Sequence, residues 1–138
     1  MKIIKWIGHP VIVICTFLLL ITEGENFGGF YVLYLILALP HGALYAILAS
    51  IGIASIVLGF NIQKEKLLIQ KQMLYLIGLL LMITSLINFF LTGNQWATFQ
   101  ETVPLLTFVI YGVCCLCFFV SIIYHLNQHL LNKKFKLS

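Results

Sequence analysis

The histidines and cysteines of this chain are the side chains best suited to bind a ligand, a proton or a metal ion. His41 lies in the apolar stretch LALPHGALYA, directly after Pro40. An ionisable residue inside a membrane segment is a candidate functional residue. A neutral imidazole can also bond the backbone carbonyl that a proline leaves free, because proline has no N–H. Both roles of His41 are open from the sequence.

Cysteines near the middle of two apolar segments form a second candidate group. Cys15 lies in the first apolar segment, and the run CCLC in the last one supplies Cys114, Cys115 and Cys117. With His41 at a similar predicted depth, these thiols would offer soft ligands to Cu(I) or Zn. Cysteine is also a common apolar filler in helices. A metal or haem site is therefore one hypothesis, and plain packing of the thiols is the alternative.

A third candidate group lies near the ends of the apolar segments. His125 and His129 are four residues apart, on one face of a helix, which is a spacing that can chelate a metal ion. His9 is predicted at nearly the same level, so a three-histidine site is geometrically possible. The alternative is that these side chains extend to the water at the membrane surface.

Other polar side chains lie within the apolar segments and are candidates to line a pore or contact a ligand. Such residues often hold membrane helices together by hydrogen bonds, and they can equally line a narrow hydrated path. With His41 and Pro40, the candidates are Tyr45, Ser85, Asn88, Tyr111 and Ser121.

The composition shows which kind of element must position these residues. The chain has 138 residues, of which 62% are hydrophobic and only 9% are charged. A soluble domain needs a more polar surface than this. The net charge of +4 comes from short groups of lysines beside apolar segments, which is typical of a membrane protein and not of a nucleic-acid binder. The sequence contains no paired carboxylates and no phosphate-binding loop, so no catalytic residues are predicted.

A helix needs about 20 apolar residues to cross the hydrocarbon core. The sequence predicts an all-α integral membrane protein, a single domain with a four-helix transmembrane bundle. The predicted crossings are about residues 6–22, 30–60, 73–91 and 103–126, followed by a short basic tail, 127–138.

The lysines predict the orientation of this bundle. With four crossings, all eight lysines fall on one side, which the positive-inside rule makes cytoplasmic. Both termini are then cytoplasmic. The size and four-helix plan are similar to those of small bacterial membrane proteins, so the expected location is a bacterial inner membrane. The lysines are Lys2, Lys5, Lys64, Lys66, Lys71, Lys133, Lys134 and Lys136.

The second apolar segment is longer than one simple crossing. At 1.5 Å per residue, a helix over 30–60 would be roughly 46 Å long, against a core of about 30 Å. Pro40 removes a helical hydrogen bond and clashes with the preceding turn. We expect one long helix kinked at Pro40, with His41 near the membrane midplane. A half-helix followed by a separate crossing is the alternative.

Small residues recur at every fourth position of the same segment. Such a ridge lets another helix approach closely in a membrane. The partner helix could belong to the same chain or to a second subunit. The predicted ridge consists of Ala38, Gly42, Ala46, Ser50 and Ala54.

Three functions remain open from the sequence. The first is a small oligomeric channel or transport component, with the histidine at the helix break as a candidate site. The second is a non-catalytic membrane subunit or scaffold that packs against a partner membrane protein. The third is an intramembrane metal or haem protein. Apart from this third hypothesis, no cofactor is expected, and the predicted partners are the lipid bilayer, further copies of the chain or another membrane protein.

Overall fold

The computed structural model describes residues 6–23, 28–63, 67–93 and 101–135. These residues are predominantly helical. In chain order the elements are α1 (Pro10–Leu18), β1 (Ile21–Glu23), β2 (Gly28–Phe30), α2 (Tyr31–Ala38), a 3-10 turn (Leu39–His41), α3 (Leu44–Asn61), α4 (Leu68–Gly93) and α5 (Thr102–Phe135).

Three of the described helices, α3, α4 and α5, are long and apolar enough to cross a membrane. The prediction of a helical integral membrane protein is confirmed at this level. The helices α4 and α5 coincide with the predicted third and fourth crossings, but both are longer. In particular, α5 continues to Phe135, so most of the predicted tail is helical and not an extended appendage.

The first predicted crossing is not one continuous helix. Its helical core, α1, has 9 residues and would be about 14 Å long, well short of a bilayer core. The Gly8-His9-Pro10 sequence explains where it begins. Pro10 occupies the first helical turn, where its missing N–H costs nothing, and His9 Nδ1 accepts a hydrogen bond from the Val11 amide at 3.4 Å.

A short antiparallel β-hairpin follows α1, which the all-α prediction missed. Its strands pair Ile21 with Phe30 and Thr22 with Gly29. The hairpin is fixed to the bundle because the Ile21 amide donates to Thr107 Oγ1 on α5 at 3.2 Å. Strands of three residues give almost no periodic signal, so the sequence pattern alone could not reveal them.

The second predicted crossing is split into two helices. The helix α2 ends at Ala38, a 3-10 turn contains Pro40, and Gly42 adopts a left-handed conformation with φ of 69°. The prediction of one long kinked helix was therefore wrong, and the chain follows the half-helix alternative. Proline prevents the helix from continuing, and glycine is the residue that takes positive φ without a steric penalty.

The chain turns sharply back at this break. In one continuous helix, Tyr31 and Tyr45 would be about 21 Å apart along the axis. Instead both rings contact Phe89 on α4, with centroid distances of 5.0 and 5.2 Å. The helix α2 therefore folds beside the beginning of α3.

The closest helix pair is α3 and α4, and its contact face differs from the predicted ridge. Of the ridge, only Ala46 is buried; Ala38 is half-buried, and Gly42, Ser50 and Ala54 are exposed. The break removes Ala38 and Gly42 from the helix, and a spacing of exactly four drifts around a helix of 3.6 residues per turn. The buried face of α3, with spacings of three and four, is Ala46, Ala49, Gly52, Ile56 and Gly59.

The two helix backbones nearly touch at a pair of glycines. A Cβ atom added to Gly52 would lie 3.0 Å from the Gly78 carbonyl oxygen, and one added to Gly78 would lie 2.7 Å from that of Gly52. Two glycines facing each other across a helix pair are the arrangement that allows close approach in membranes. The middle parts of α3 and α4 are thereby held close together.

Candidate functional site

An open cleft of about 260 Å³ lies at the end of the bundle where α3 and α4 are joined. The start of α1, the end of α3, the start of α4 and the second half of α5 form its walls. Its apolar lining is Gly8, Pro10, Phe60, Leu68, Phe118 and Ile122, and its polar lining is His9, Lys71, Gln72, Tyr75, Ser121 and His125. Six polar side chains around one cleft are unusual in so apolar a bundle.

Gly8 determines how closely α1 approaches α5 beside this cleft. A Cβ atom at Gly8 would lie 2.7 Å from the Cys117 carbonyl oxygen and 2.9 Å from the Phe118 amide nitrogen. A larger residue would push the two backbones apart. The close approach brings His9 and Pro10 to the cleft wall, opposite the side chains of α4.

Lys71 provides the positive charge of the cleft. Its ammonium group donates to the Ile62 carbonyl at 3.3 Å and lies 5.8 Å from the centre of the Tyr75 ring. Within the described residues it forms no salt bridge with a carboxylate. The carbonyl bond holds the ammonium beside Ile62, directly after the end of α3.

Gln72 is a polar side chain in an almost fully buried position. Only 4% of its surface is exposed, and it lines the cleft. The described residues offer its amide no hydrogen-bond partner. Its amide is not among the fully buried polar atoms that lack a partner, so it reaches the open cleft, where water or a ligand can bond it.

The predicted histidine site at this end is formed only in part. His9 and His125 line the same cleft, whereas His129 does not. Among the residues that the structure describes, no three His, Cys, Asp or Glu side chains are grouped closely enough to hold a metal ion. The three-histidine site is therefore not formed by these residues.

His41 lies far from this cleft and stabilises the helix break. Its Nδ1 donates to the Leu37 carbonyl at 2.9 Å, and its side chain is exposed. Because α3 has 18 residues and is about 27 Å long, His41 lies at one end of a membrane-length helix. It is not in the middle, where the unbroken helix was predicted to place it.

The Ser85 hydroxyl joins three elements near the His41 end of the bundle. It donates to the Tyr45 carbonyl at 2.7 Å and lies 2.9 Å from Tyr31 Oη. A serine hydroxyl has one proton, so Tyr31 must donate in the second bond. Asn88, one turn further, accepts from Thr92 on its own helix through its backbone carbonyl at 2.5 Å. The Ser85 bonds join different elements, whereas the Asn88 bond lies within α4, and neither residue lines the cleft.

The remaining predicted site residues are divided between the core and the surface. Cys114 and Cys115 are buried, Cys117 is half-buried and Cys15 is exposed. The Tyr111 hydroxyl is buried without a hydrogen-bond partner, while its ring packs on Phe17 at 5.6 Å. Among the described residues these thiols and His41 do not form a group of three possible metal ligands, so the shared soft-metal site is not formed by them.

No protein-family model matches this chain, and comparison with curated proteins and with solved structures gives no significant match. The function is therefore inferred from the geometry of the cleft.

From the sequence, Lys71 was used only to predict the orientation in the membrane, and neither Gln72 nor Tyr75 was predicted as a site residue. A detectable signal existed for Gln72. It lies on the helix face that also carries Tyr75 and Leu79, and all three are buried. A glutamine on the apolar face of a helix predicts a buried polar site. The side chains that face Gln72 across the cleft belong to α5 and to the residues at the start of α1, and sequence spacing cannot reveal that they lie close together.

Proposed function

We propose that this chain is a small membrane transport component that takes up its ligand at the cleft. The observation that carries the proposal is the cleft itself, in which Lys71, Gln72 and Ser121 face an open space within an apolar bundle. Ligand sites combine apolar walls with a few convergent polar groups. This proposal retains the transport hypothesis from the sequence. It places the ligand site at the cleft and not at His41, which lies at the opposite end of the bundle.

The proposed orientation places the cleft on the cytoplasmic side of a bacterial inner membrane, with both termini cytoplasmic. The lysines within and just after the α3–α4 connection, Lys64, Lys66 and Lys71, support this through the positive-inside rule. The fourth crossing would consist of α1 with its flanking residues. Residues 8–21 run antiparallel along α5, from Cys117 to Thr107, which supports a first crossing made of helical and extended pieces.

The test is permeability of purified protein in liposomes. Stopped-flow swelling should be measured in isosmotic glycerol, potassium acetate and potassium phosphate, with valinomycin to balance potassium. We expect faster swelling than in empty liposomes for at least one solute. Ser121→Leu, which fills the cleft, should slow it, while Thr84→Leu, at an exposed position of α4, should not. Equal permeability of protein-containing and empty liposomes would contradict the transport function.

A second candidate function is that of a subunit or scaffold, as a homo-oligomer or with another membrane protein. The exposure of Ser50 and Ala54 on the outer side of α3 favours it, because small residues allow a second helix to approach. Ala54→Leu should then abolish oligomers detected by crosslinking in the membrane, while Thr84→Leu should leave them intact. Unchanged crosslinking in Ala54→Leu would exclude this face as the interface.

A further inference from the structure

We infer that the cleft binds a phosphate or carboxylate group of a small anionic ligand, held by Lys71, Gln72 and Ser121. The inference rests on the proposed function, because it names the ligand class of the same site. It can nevertheless be tested by binding alone, without transport.

The charges around the cleft favour an anion. Lys71 is a fixed positive charge with no carboxylate partner in the described part of the chain. The cleft also receives the amino-terminal ends of two helices, α1 at Pro10 and α4 at Leu68. The amino-terminal end of a helix carries a partial positive charge that attracts anions. The carboxyl-terminal end of α3 also lies at the cleft, at Phe60, and carries a partial negative charge. The bond from Lys71 to the Ile62 carbonyl offsets that charge.

The hydrogen-bonding groups are suited to the oxygens of such an anion. Gln72 can offer amide protons from an almost fully buried position, and Ser121 can offer a hydroxyl proton. His9 uses its Nδ1 as the acceptor for the Val11 amide, so its proton is on Nε2, which is a further donor. Lysine, amide and hydroxyl donors together provide the contacts that carboxylate and phosphate oxygens accept.

The size and the apolar wall limit the ligand further. The volume of about 260 Å³ is below the usual range for drug-sized ligands, roughly 300–1,000 Å³. Phe60, Phe118 and Ile122 provide an apolar surface beside the charge. The cleft therefore fits one anionic group with a short apolar portion, either as a free molecule or as the headgroup region of an anionic lipid.

The experiment measures binding to the full chain in nanodiscs, with two assays that distinguish these sources. Hexanoate and inorganic phosphate are titrated by calorimetry in nanodiscs of uncharged phosphatidylcholine. Retention of phosphatidylglycerol is measured by native mass spectrometry after release from mixed nanodiscs. The variants are Lys71→Gln and Lys71→Arg, and Lys134→Gln is the control that makes the same change in net charge as Lys71→Gln.

We expect Lys71→Gln to weaken binding at least tenfold, while Lys71→Arg and Lys134→Gln remain within threefold of the parent protein. A Lys71-dependent titration identifies a free anion, and Lys71-dependent retention of phosphatidylglycerol identifies a lipid headgroup. Ser121→Leu should block either mode without changing the charge. Equal binding by Lys71→Gln and Lys134→Gln, or no binding in either assay, would overturn the inference. Binding without liposome permeability would refute the transport function alone.

Discussion

Single residues determine where the second apolar segment breaks. Gly42 has a φ of 69°, and a Cβ atom added there would meet nothing within 4 Å. Any cost of Gly42→Ala must therefore come from the backbone. A left-handed conformation costs a non-glycine residue about 1–2 kcal/mol, so we expect Gly42→Ala to reduce the free energy of unfolding by that amount, measured by denaturation in mixed micelles.

Gly112 provides a matched control for this prediction. It also has open space around its Cβ position, but it lies within α5. Alanine favours a helix over glycine by about 1 kcal/mol, so Gly112→Ala should leave stability unchanged or raise it. If both variants had the same effect, the left-handed turn would not be a determinant of stability.

The Ser85 hydroxyl is the second stability determinant at this scale. Ser85→Ala removes the bonds to Tyr31 and Tyr45, whereas Tyr31→Phe removes one of them. Hydrogen bonds between membrane helices contribute about 0.6 kcal/mol on average and at most about 1.7. We expect Ser85→Ala to cost about 1–2 kcal/mol in thermal or denaturant unfolding, and Tyr31→Phe less. Thr84→Ala, whose hydroxyl bonds only its own helix, should cost least; the reverse order would refute the network.

The sequence identified which residues matter at the break better than it identified their roles. Pro40 was expected to disturb the helix, and a bond from His41 to a backbone carbonyl was one of the two roles left open. The helix ends before Pro40, and His41 bonds the Leu37 carbonyl. The left-handed turn at Gly42 was missed. From the sequence, Gly42 was interpreted as part of the small-residue ridge. Spacing alone does not distinguish a glycine needed for close packing from a glycine needed for a left-handed conformation.

Among the elements, the α3–α4 pair depends on backbone contact at its centre. A Cβ atom at Gly78 would lie 2.5 Å from Ile56 Cγ1 as well as against the Gly52 carbonyl. We expect Gly78→Ala to separate the helices and to lower stability by about 1–3 kcal/mol, the usual cost of overpacking. Unfolding in mixed micelles measures this cost.

Ile56→Ala tests the same contact from the other side. It removes the Cγ1 atom but not the Gly52 carbonyl, so the double variant with Gly78→Ala should be less destabilised than the sum of the single variants. Full additivity would mean that Gly78 and Ile56 do not compete for the same space.

The type of the long helices was predictable, but their ends and the short hairpin were not. Hydropathy identified α4 and α5 because both are long and nearly free of charge. It merged α2 with α3, because both are apolar and only five residues separate them, namely the 3-10 turn Leu39–His41 followed by Gly42 and Ala43. The register of the α3 contact face also escaped prediction, since it depends on the neighbouring helix.

For the whole molecule, the proposed orientation predicts which loops face which side. In a variant without the natural cysteines, Gln63→Cys should react with a membrane-impermeant maleimide only from the cytoplasmic side. Thr102→Cys should react only from the opposite side. Both positions are exposed. Labelling of both from the same side would refute an odd number of crossings between them.

The assembly of the cleft is the part of the molecule that sequence reasoning could not reach. Its walls come from four helices, and its polar residues lie as far apart in the chain as His9 and His125. Some predicted site residues lie at the cleft and others lie near Ser85. The sequence could not predict this division, because residues at the same depth on separate helices need not lie on faces that meet.

The packing of α1 against α5 has a consequence for biosynthesis. Val13, Phe17 and Leu20 are fully buried, and part of their surroundings comes from the last helix, which also anchors the hairpin at Thr107. During translation the ribosome makes the first segment well before that partner exists. A segment too short to be stable alone as a crossing must then wait, at the membrane surface or within the insertion machinery, until α5 has been synthesised. The order of the elements makes the packing of α1 a late event in folding.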